Sequence, residues 1–420
     1  MKKFTCIFIV LFFICNALYC YAQIEKPILP GAYRTNLYLP LLKNKRVGVF
    51  ANQTSMIGNT HLVDSLQKLG VSITKIFSPE HGFRGDADAG ENVKDYVDAK
   101  TGVKVISLYG AKTKPAPIDL TDVDVMLFDI QDVGVRFYTY ISSLQYFIES
   151  AIQNDKPLII LDRPNPNGFY VDGPVLDSSY ESFIGMQHIP VVYGMTIGEY
   201  AKMLVGERWL SWKYVRKEDE NISLQEMLGF EEATKNFKLT IIACKNYTHK
   251  SKYVLPVKPS PNLPFINSVY HYPSTCFFEG TVLSEGRGTA HPFEIFGHPK
   301  FSDSLYAFMP QSNVGAADPK LKNQQCYGWN ITDSPLTAQI QLHWLLQAYN
   351  LFEDKQNFFI KPKKINIQPQ DFFFNKLAGN NQLVQQIKDG KTEEEIRQSW
   401  KPKLDAFKII RKKYLLYPDF

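Results

Sequence analysis

Glu80, His81 and Arg84 fall within five positions in the stretch SPEHGFRGDADAGE, residues 78–91, which follows the apolar run VSITKIF and holds three glycines and six ionisable groups. A carboxyl beside an imidazole at the end of such a run is the raw material of a general acid with an orienting neighbour, because glycoside and acyl chemistry both need a proton donor of tuned acidity. The competing explanation is a solvated turn, with Glu80 capping the next helix and His81 hydrogen-bonded in a loop. That explanation accounts for the aspartates and glycines and does less for the Glu80-His81 pair.

Three further segments carry comparable groups. DIQDVGVRFYTY supplies Asp129, Gln131, Asp132 and Arg136, and LDRPNPNG supplies Asp162, Arg163, Asn165 and Asn167. Taken singly, each reads equally well as turn chemistry, in which Asp, Asn, Pro and Gly build the bend. FEGTVLSEGRGT adds Glu279, Glu285 and Arg287, flanked by glycines that let backbone approach a ligand closely. The chain has neither GxxxxGK[ST] nor GxGxxG, so no nucleotide cofactor is expected. It has no HExxH and no Cys/His cluster, and His81 with Asp86, Asp88 and Glu91 is only a loose oxygen-rich set, so no metal is expected either. Without a GxSxG elbow, Ser260 and Ser284 lie in loops with no evident base, which lowers a serine-hydrolase reading.

The elements that must position these groups repeat one theme from Lys45 onward: a short apolar run, a polar burst, then a helical stretch. The runs are RVGVFANQ, VSITKIFSPEHG, VKVISLYG, VDVMLFDIQDVG and PLIILDRPNPNG, with helices expected near Thr60–Leu69 and Tyr138–Asn154. Continuous rather than alternating hydrophobicity is how parallel strands covered on both faces read, and it predicts an α/β fold with a Rossmann-like, doubly wound sheet. In such sheets ligands bind outside the carboxyl ends of the strands. Asn52, Glu80, His81, Tyr109, Asp129, Gln131, Asp132 and Asp162 to Asn167 all fall there. A further strand and helix are expected in IPVVYGMTIGEYAKMLVGE, with Thr196 and Glu199 as a capping box, and another strand in KLTIIAC. The Pro-, Gly- and aromatic-rich stretch from Val257 to Pro299 has no helical period and reads as a long ordered loop leading to a smaller α+β unit. In that unit Thr337–Glu353 and Thr392–Tyr414 are expected helical and KKINIQP a strand. The expected division is 1–22, 23–250 and 251–420.

The opening MKKFTCIFIVLFFICNALYCYAQ reads as a secretory signal, with Lys2 and Lys3, an apolar core, and Cys20-Tyr21-Ala22 before the cut. Cleavage after Ala22 leaves an exported chain that begins at Gln23. No later run approaches the roughly 20 apolar residues of a membrane span. Beyond the signal the chain keeps Cys244, Cys276 and Cys326, an odd number without CxxC spacing, which argues for buried thiols with at most one bridge. Losing Lys2 and Lys3 lowers the formal charge from +5 to +3, too small to point to nucleic acid. Aromatic content of 14% suits sugar stacking, but core packing is the commoner use.

Taken together, GVFANQTS, FSPEHGFRG, DIQDVGVRFYTY, LDRPNPNG, SPNLP and FEGTVLSEGRGT resemble the NamZ family of exo-β-N-acetylmuramidases, from about Lys45 to the C-terminus. The resemblance implies a Rossmann-like N-terminal domain and a smaller C-terminal domain with the active cleft between them, and release of N-acetylmuramic acid from non-reducing ends of peptidoglycan fragments. It implies Glu80 as catalytic acid with His81 beside it. Muramic acid carries a lactyl carboxylate, and Arg84, Arg136, Arg163 and Arg287 are candidates to bind it through a guanidinium fork. Asn52, Gln131, Asn165 and Asn262 are candidates for hydroxyls and the acetamide, and Asp129 stands with them among the substrate-binding residues. Glycoside hydrolysis usually takes two carboxylates, close for retention and farther apart for inversion, with Glu285 or Asp132 as the second; assistance by the substrate's acetamido group is the alternative. An exported, non-catalytic sugar-binding protein could use the same cleft.

Overall fold

A computed structural model of the chain describes residues 26–80, 82–85, 94–210 and 224–420; the segment 1–22, read from the sequence as a signal, lies outside them. Among the described residues the central sheet has seven strands: β1 (Arg46–Ala51), β2 (Ser72–Ser78), β3 (Tyr96–Val97), β4 (Lys104–Ser107), β5 (Val125–Asp129), β6 (Leu158–Leu161) and β7 (Leu239–Ile242). Their spatial order is β7-β6-β5-β1-β2-β4-β3, all parallel except the short edge strand β3. The parallel strands follow the doubly wound order, which reverses between β1 and β5.

The apolar runs are continuous because alternate residues feed two different cores. On one face Val47, Val49, Ile76, Leu127 and Ile159 pack under α1 (Thr35–Leu42) and α2 (Leu62–Lys68). On the other, Phe50, Phe77, Phe128 and Ile160 pack under α3 (Tyr140–Gln153) and α4 (Ile197–Gly206). Thr196 and Glu199 form the expected capping box at the start of α4. The run PVV forms a strand, but it pairs antiparallel with Asp172–Val175 outside the central sheet. Helix α5 (Leu224–Lys235) precedes β7.

The second face's core continues into the C-terminal half through Phe277, Phe278, Phe296, Leu345, Phe374 and Leu404. There an antiparallel sheet forms from β8 (Ile295–His298), β9 (Tyr306–Phe308) and β10 (Cys326–Asn330), in the order β8-β10-β9. The stretch read as a long loop contains α6 (Ile266–Thr275), whose helical period is masked by Pro273. Proline has no N–H to offer the carbonyl four residues back, and Asn167 Nδ2 donates to that Val269 carbonyl instead, at 3.2 Å. The expected helices survive as α7 (His343–Leu351) and, after α8 (Phe373–Ala378) and α9 (Gln382–Lys388), α10 (Glu393–Lys412). KKINIQP is not a strand: it has no partner to pair with and nothing to bury, and Ile365 is 87% exposed. The described cysteines, Cys244, Cys276 and Cys326, are buried free thiols. Among the described residues no helix is long and apolar enough to cross a membrane.

Candidate active site

Glu80 stands two residues beyond the end of β2, carried by a turn that the glycines make possible. The Gly82 N–H donates to Pro79 O at 3.1 Å, and Gly82 and Gly85 take left-handed backbone with φ of 74° and 81°. A Cβ on Gly85 would come within 2.9 Å of the Gln53 side chain, so glycine is required there on two grounds. His81 lies outside the described residues, as do Asp86, Asp88 and Glu91.

The half-buried Glu80 lines a cleft of about 160 Å³ together with Asn262, Glu279 and Arg287 from the C-terminal half. Much of the remaining lining is aromatic. Phe137, Tyr138 and Tyr140 come from the segment that opens α3, Tyr272 from α6, and Phe293 from the turn before β8. These rings pack edge to face, with centroids 4.9 Å apart for Tyr138 and Tyr140 and 4.8 Å for Tyr272 and Phe293. Flat apolar faces edged with hydroxyls suit a pyranose ring. Tyr109, at the end of β4, donates its hydroxyl to Glu80 Oε1 at 3.0 Å. Burial, with the Glu80 charge adding to it, pushes the Tyr140 phenol up, so it remains protonated.

Of the four arginines grouped by type, the cleft contains Arg287. Its Nε and Nη2 reach Glu279 Oε1 at 2.9 and 2.6 Å, and its guanidinium lies 5.0 Å above the Phe293 ring. Burial works against its charge, but Glu279 and Glu285 outweigh it and raise its pKa further. Arg84 is engaged elsewhere, bridging Asp64 at 3.0 Å and Asp98 at 2.9 Å. Arg163 grips Asp129 through a two-point fork of 2.6 and 2.8 Å, both side chains buried. Arg136, fully buried, donates to the carbonyls of Pro174, Ile189 and Leu377 at 2.7–2.8 Å. Burial pulls its pKa down to about 9.

The amides divide in the same way. Asn262 lines the cleft while its Nδ2 holds Gly315 O at 2.7 Å. Asn52 sits beneath it, donating to Tyr140 Oη at 2.9 Å and accepting from Thr54. Gln131 donates to the carbonyls of Asp132 and Pro164, and Asn165 to that of Met195. Asp132 is buried, accepting from the Gly134 N–H at 2.6 Å and from the Tyr193 hydroxyl. Of the carboxylates in FEGTVLSEGRGT, Glu285 is buried 2.8 Å from Lys320 and 3.5 Å from Arg287, whereas Glu279 is the one that lines the cleft. Composition could not separate the two. Tyr138 and Tyr140 lie in DIQDVGVRFYTY and Tyr272 in the stretch read as a loop, none of them singled out by the sequence, and only their convergence identifies them. Among the described residues no cluster of three or more His, Cys, Asp or Glu side chains could hold a metal ion.

Comparison with known proteins agrees along nearly the whole chain. The family profile described as Exo-beta-N-acetylmuramidase NamZ, N-terminal, matches residues 47–267, and its C-terminal counterpart matches residues 270–417. The Peptidoglycan beta-N-acetylmuramidase NamZ of Bacillus subtilis is 37% identical over 407 residues, covering 90% of this chain and 89% of that protein. Two crystal structures of DUF1343 family proteins from Bacteroides fragilis superpose with TM-scores of 0.79 and 0.74 at 41% and 26% identity. Each comparison covers 94% of this chain and all of the other.

Proposed function

The chain belongs to the NamZ family of exo-β-N-acetylmuramidases, and from that premise we infer that it is a glycoside hydrolase releasing N-acetylmuramic acid from the non-reducing ends of peptidoglycan fragments. The observation that carries the site assignment is that Glu80, Glu279 and Arg287 line one cleft together with Phe137, Tyr138, Tyr140, Tyr272 and Phe293. Glu80 gives its proton to the glycosidic oxygen as the bond to the leaving sugar breaks. Arg287, held by Glu279, receives the lactyl carboxylate, and Asn262 lines the same cleft to meet a sugar hydroxyl or the acetamide. Glu279 takes the place of Glu285 as the second carboxylate of the cleft. A non-catalytic sugar-binding role finds no support in the Bacillus subtilis relative, whose name is that of a hydrolase.

The test is one assay on two substrates, a muramic-acid disaccharide and a β-N-acetylmuraminide of an activated phenol. Glu80→Gln keeps the shape but has no acidic proton, and should lose about 10²–10⁴ in turnover of the disaccharide and far less with the aryl glycoside. Arg287→Met in the same assay should erode the preference for muramyl over glucosaminyl glycosides. Wild-type turnover of the disaccharide by Glu80→Gln would remove Glu80 from the chemistry.

The division near residue 250 assigns the sheet and Glu80 to a catalytic domain, and the remainder to a domain that completes the cleft. Export, with cleavage after Ala22 into the periplasm or medium, rests on the lysines, apolar core and Cys20-Tyr21-Ala22 of the opening segment. Intact-mass measurement should find a species beginning at Gln23; a product retaining residues 1–22 would overturn this.

A further inference from the structure

The parallel pairing of β2 with β4 brings Ser78 opposite Ser107, and the Leu108 N–H donates to Ser78 O at 2.8 Å. Both strands therefore leave the sheet at the same level. Two residues later on each, Glu80 and Tyr109 stand side by side, with the phenol donating to Glu80 Oε1 at 3.0 Å. The contact is a consequence of register: a slip of one residue in either strand would turn one of the two side chains to the other face.

Resting on the reading of Glu80 as the acid, we propose that Tyr109 is a positioning residue that fixes which oxygen of Glu80 carries the catalytic proton. A carboxyl oxygen that accepts a hydrogen bond from Tyr109 is the acceptor oxygen, so the acidic proton belongs on Oε2. Tyr109 is suited to this because burial, and then the Glu80 charge, push its phenol up to about 12, so it remains a donor at any working pH. In the reaction the proton on Oε2 passes to the glycosidic oxygen, the bond from that oxygen to the anomeric carbon breaks, and Tyr109 keeps its own proton. As charge develops on the carboxylate the bond from Tyr109 becomes charge-assisted and strengthens. It thus favours the transition state over the ground state, which is the condition for raising kcat. Tyr109 is not among the residues lining the cleft, and the charged or titratable side chains that do line it around Glu80 are Tyr138 and Tyr140 from the start of α3, Tyr272 from α6, and Glu279 and Arg287 from the C-terminal half.

Tyr109→Phe keeps the half-buried ring and removes only the hydroxyl. We expect kcat on the muramic-acid disaccharide to fall roughly 10- to 100-fold with KM unchanged, and kcat on the activated aryl glycoside to stay within about threefold of wild type. In the Glu80→Gln background the same change should have no further effect on the disaccharide, because the proton it positions is gone. An equal loss on both substrates, a multiplicative loss in the Glu80→Gln background, or an unaltered disaccharide rate would each overturn the positioning role while leaving Glu80 as the acid. Unimpaired disaccharide hydrolysis by Glu80→Gln alone would instead defeat the reading of Glu80. Binding of free N-acetylmuramic acid by Tyr109→Phe, measured by calorimetry, should match wild type, and a loss of that binding would assign Tyr109 to the architecture of the cleft and overturn the proposal.

Discussion

Asp132 is a carboxyl held out of water, and its chemistry follows from that. Burial raises its pKa to about 7, against the lowering effect of hydrogen bonds from Tyr193 and the Gly134 and Val133 N–H groups. The unfolded chain gives up this proton near pH 4 and the folded one near pH 7, so between the two the folded state holds the extra proton. Stability is therefore undiminished at pH 4, falls as the pH rises through this window, and reaches a loss on the order of 4 kcal/mol above pH 7. Asp132→Asn removes the titration while keeping one oxygen for the Tyr193 and Gly134 donors. Denaturant titrations should show the variant close to wild type at pH 4–5 and more stable at pH 8. Variant and wild type with parallel pH dependence would assign the raised pKa to some other group. Because Asp132 stands outside the cleft lining, the variant should also retain most of its activity, which separates it from Glu80.

At the scale of elements, the polar bursts after the strands have two separate jobs. Those at the reversal point between β1 and β5 build the scaffold: Asn52 holds Tyr140, Arg163 neutralises Asp129, and Gln131 ties Asp132 to Pro164. The burst after β2 reaches the cleft, because its glycine turn carries Glu80 beyond the end of the strand. Arg136 belongs to the first job. Its donation to Leu377 O pins α8 to the N-terminal half, and Gly379 just beyond leaves room for the guanidinium, since a Cβ there would lie 2.8 Å from Nη2. Asn167 does likewise for α6, at the carbonyl orphaned by Pro273.

At the scale of the whole molecule, the chain's end returns to the first sheet and closes the structure. Tyr417 is buried, donates to Asp162 Oδ2 at 2.5 Å, and accepts from the Cys244 N–H at 2.8 Å. Asp419 pairs with Arg411, which α10 presses against the Gly194 carbonyl, and the Leu416 N–H donates to Glu199. The N- and C-terminal halves that together line the cleft are thereby held at a second point. Deleting residues 415–420 would strip the buried Arg411 of its exposed carboxylate partner and remove the buried Tyr417 ring with its hydrogen bonds to Asp162 and Cys244. The truncated protein should show a thermal midpoint several degrees lower. A midpoint equal to wild type would mean that the tail is not part of the fold's closure.

The sequence by itself determined the doubly wound sheet and the exit of Glu80 from it, because both are written in neighbouring residues: continuous apolar runs that feed two cores, and glycines at the left-handed positions of a turn. The helix cap at Thr196 was legible for the same reason. Only the tertiary structure decided which polar groups face the cleft. Arg163 and Asp129 are 34 positions apart, and Arg136 and Leu377 are 241 apart. No local pattern reveals that such arginines are already engaged elsewhere. Glu279 and Glu285 are only six positions apart, yet one lines the cleft while the other is buried 2.8 Å from Lys320. A residue's type states what it can bond; which partner reaches it first depends on how distant segments fold together.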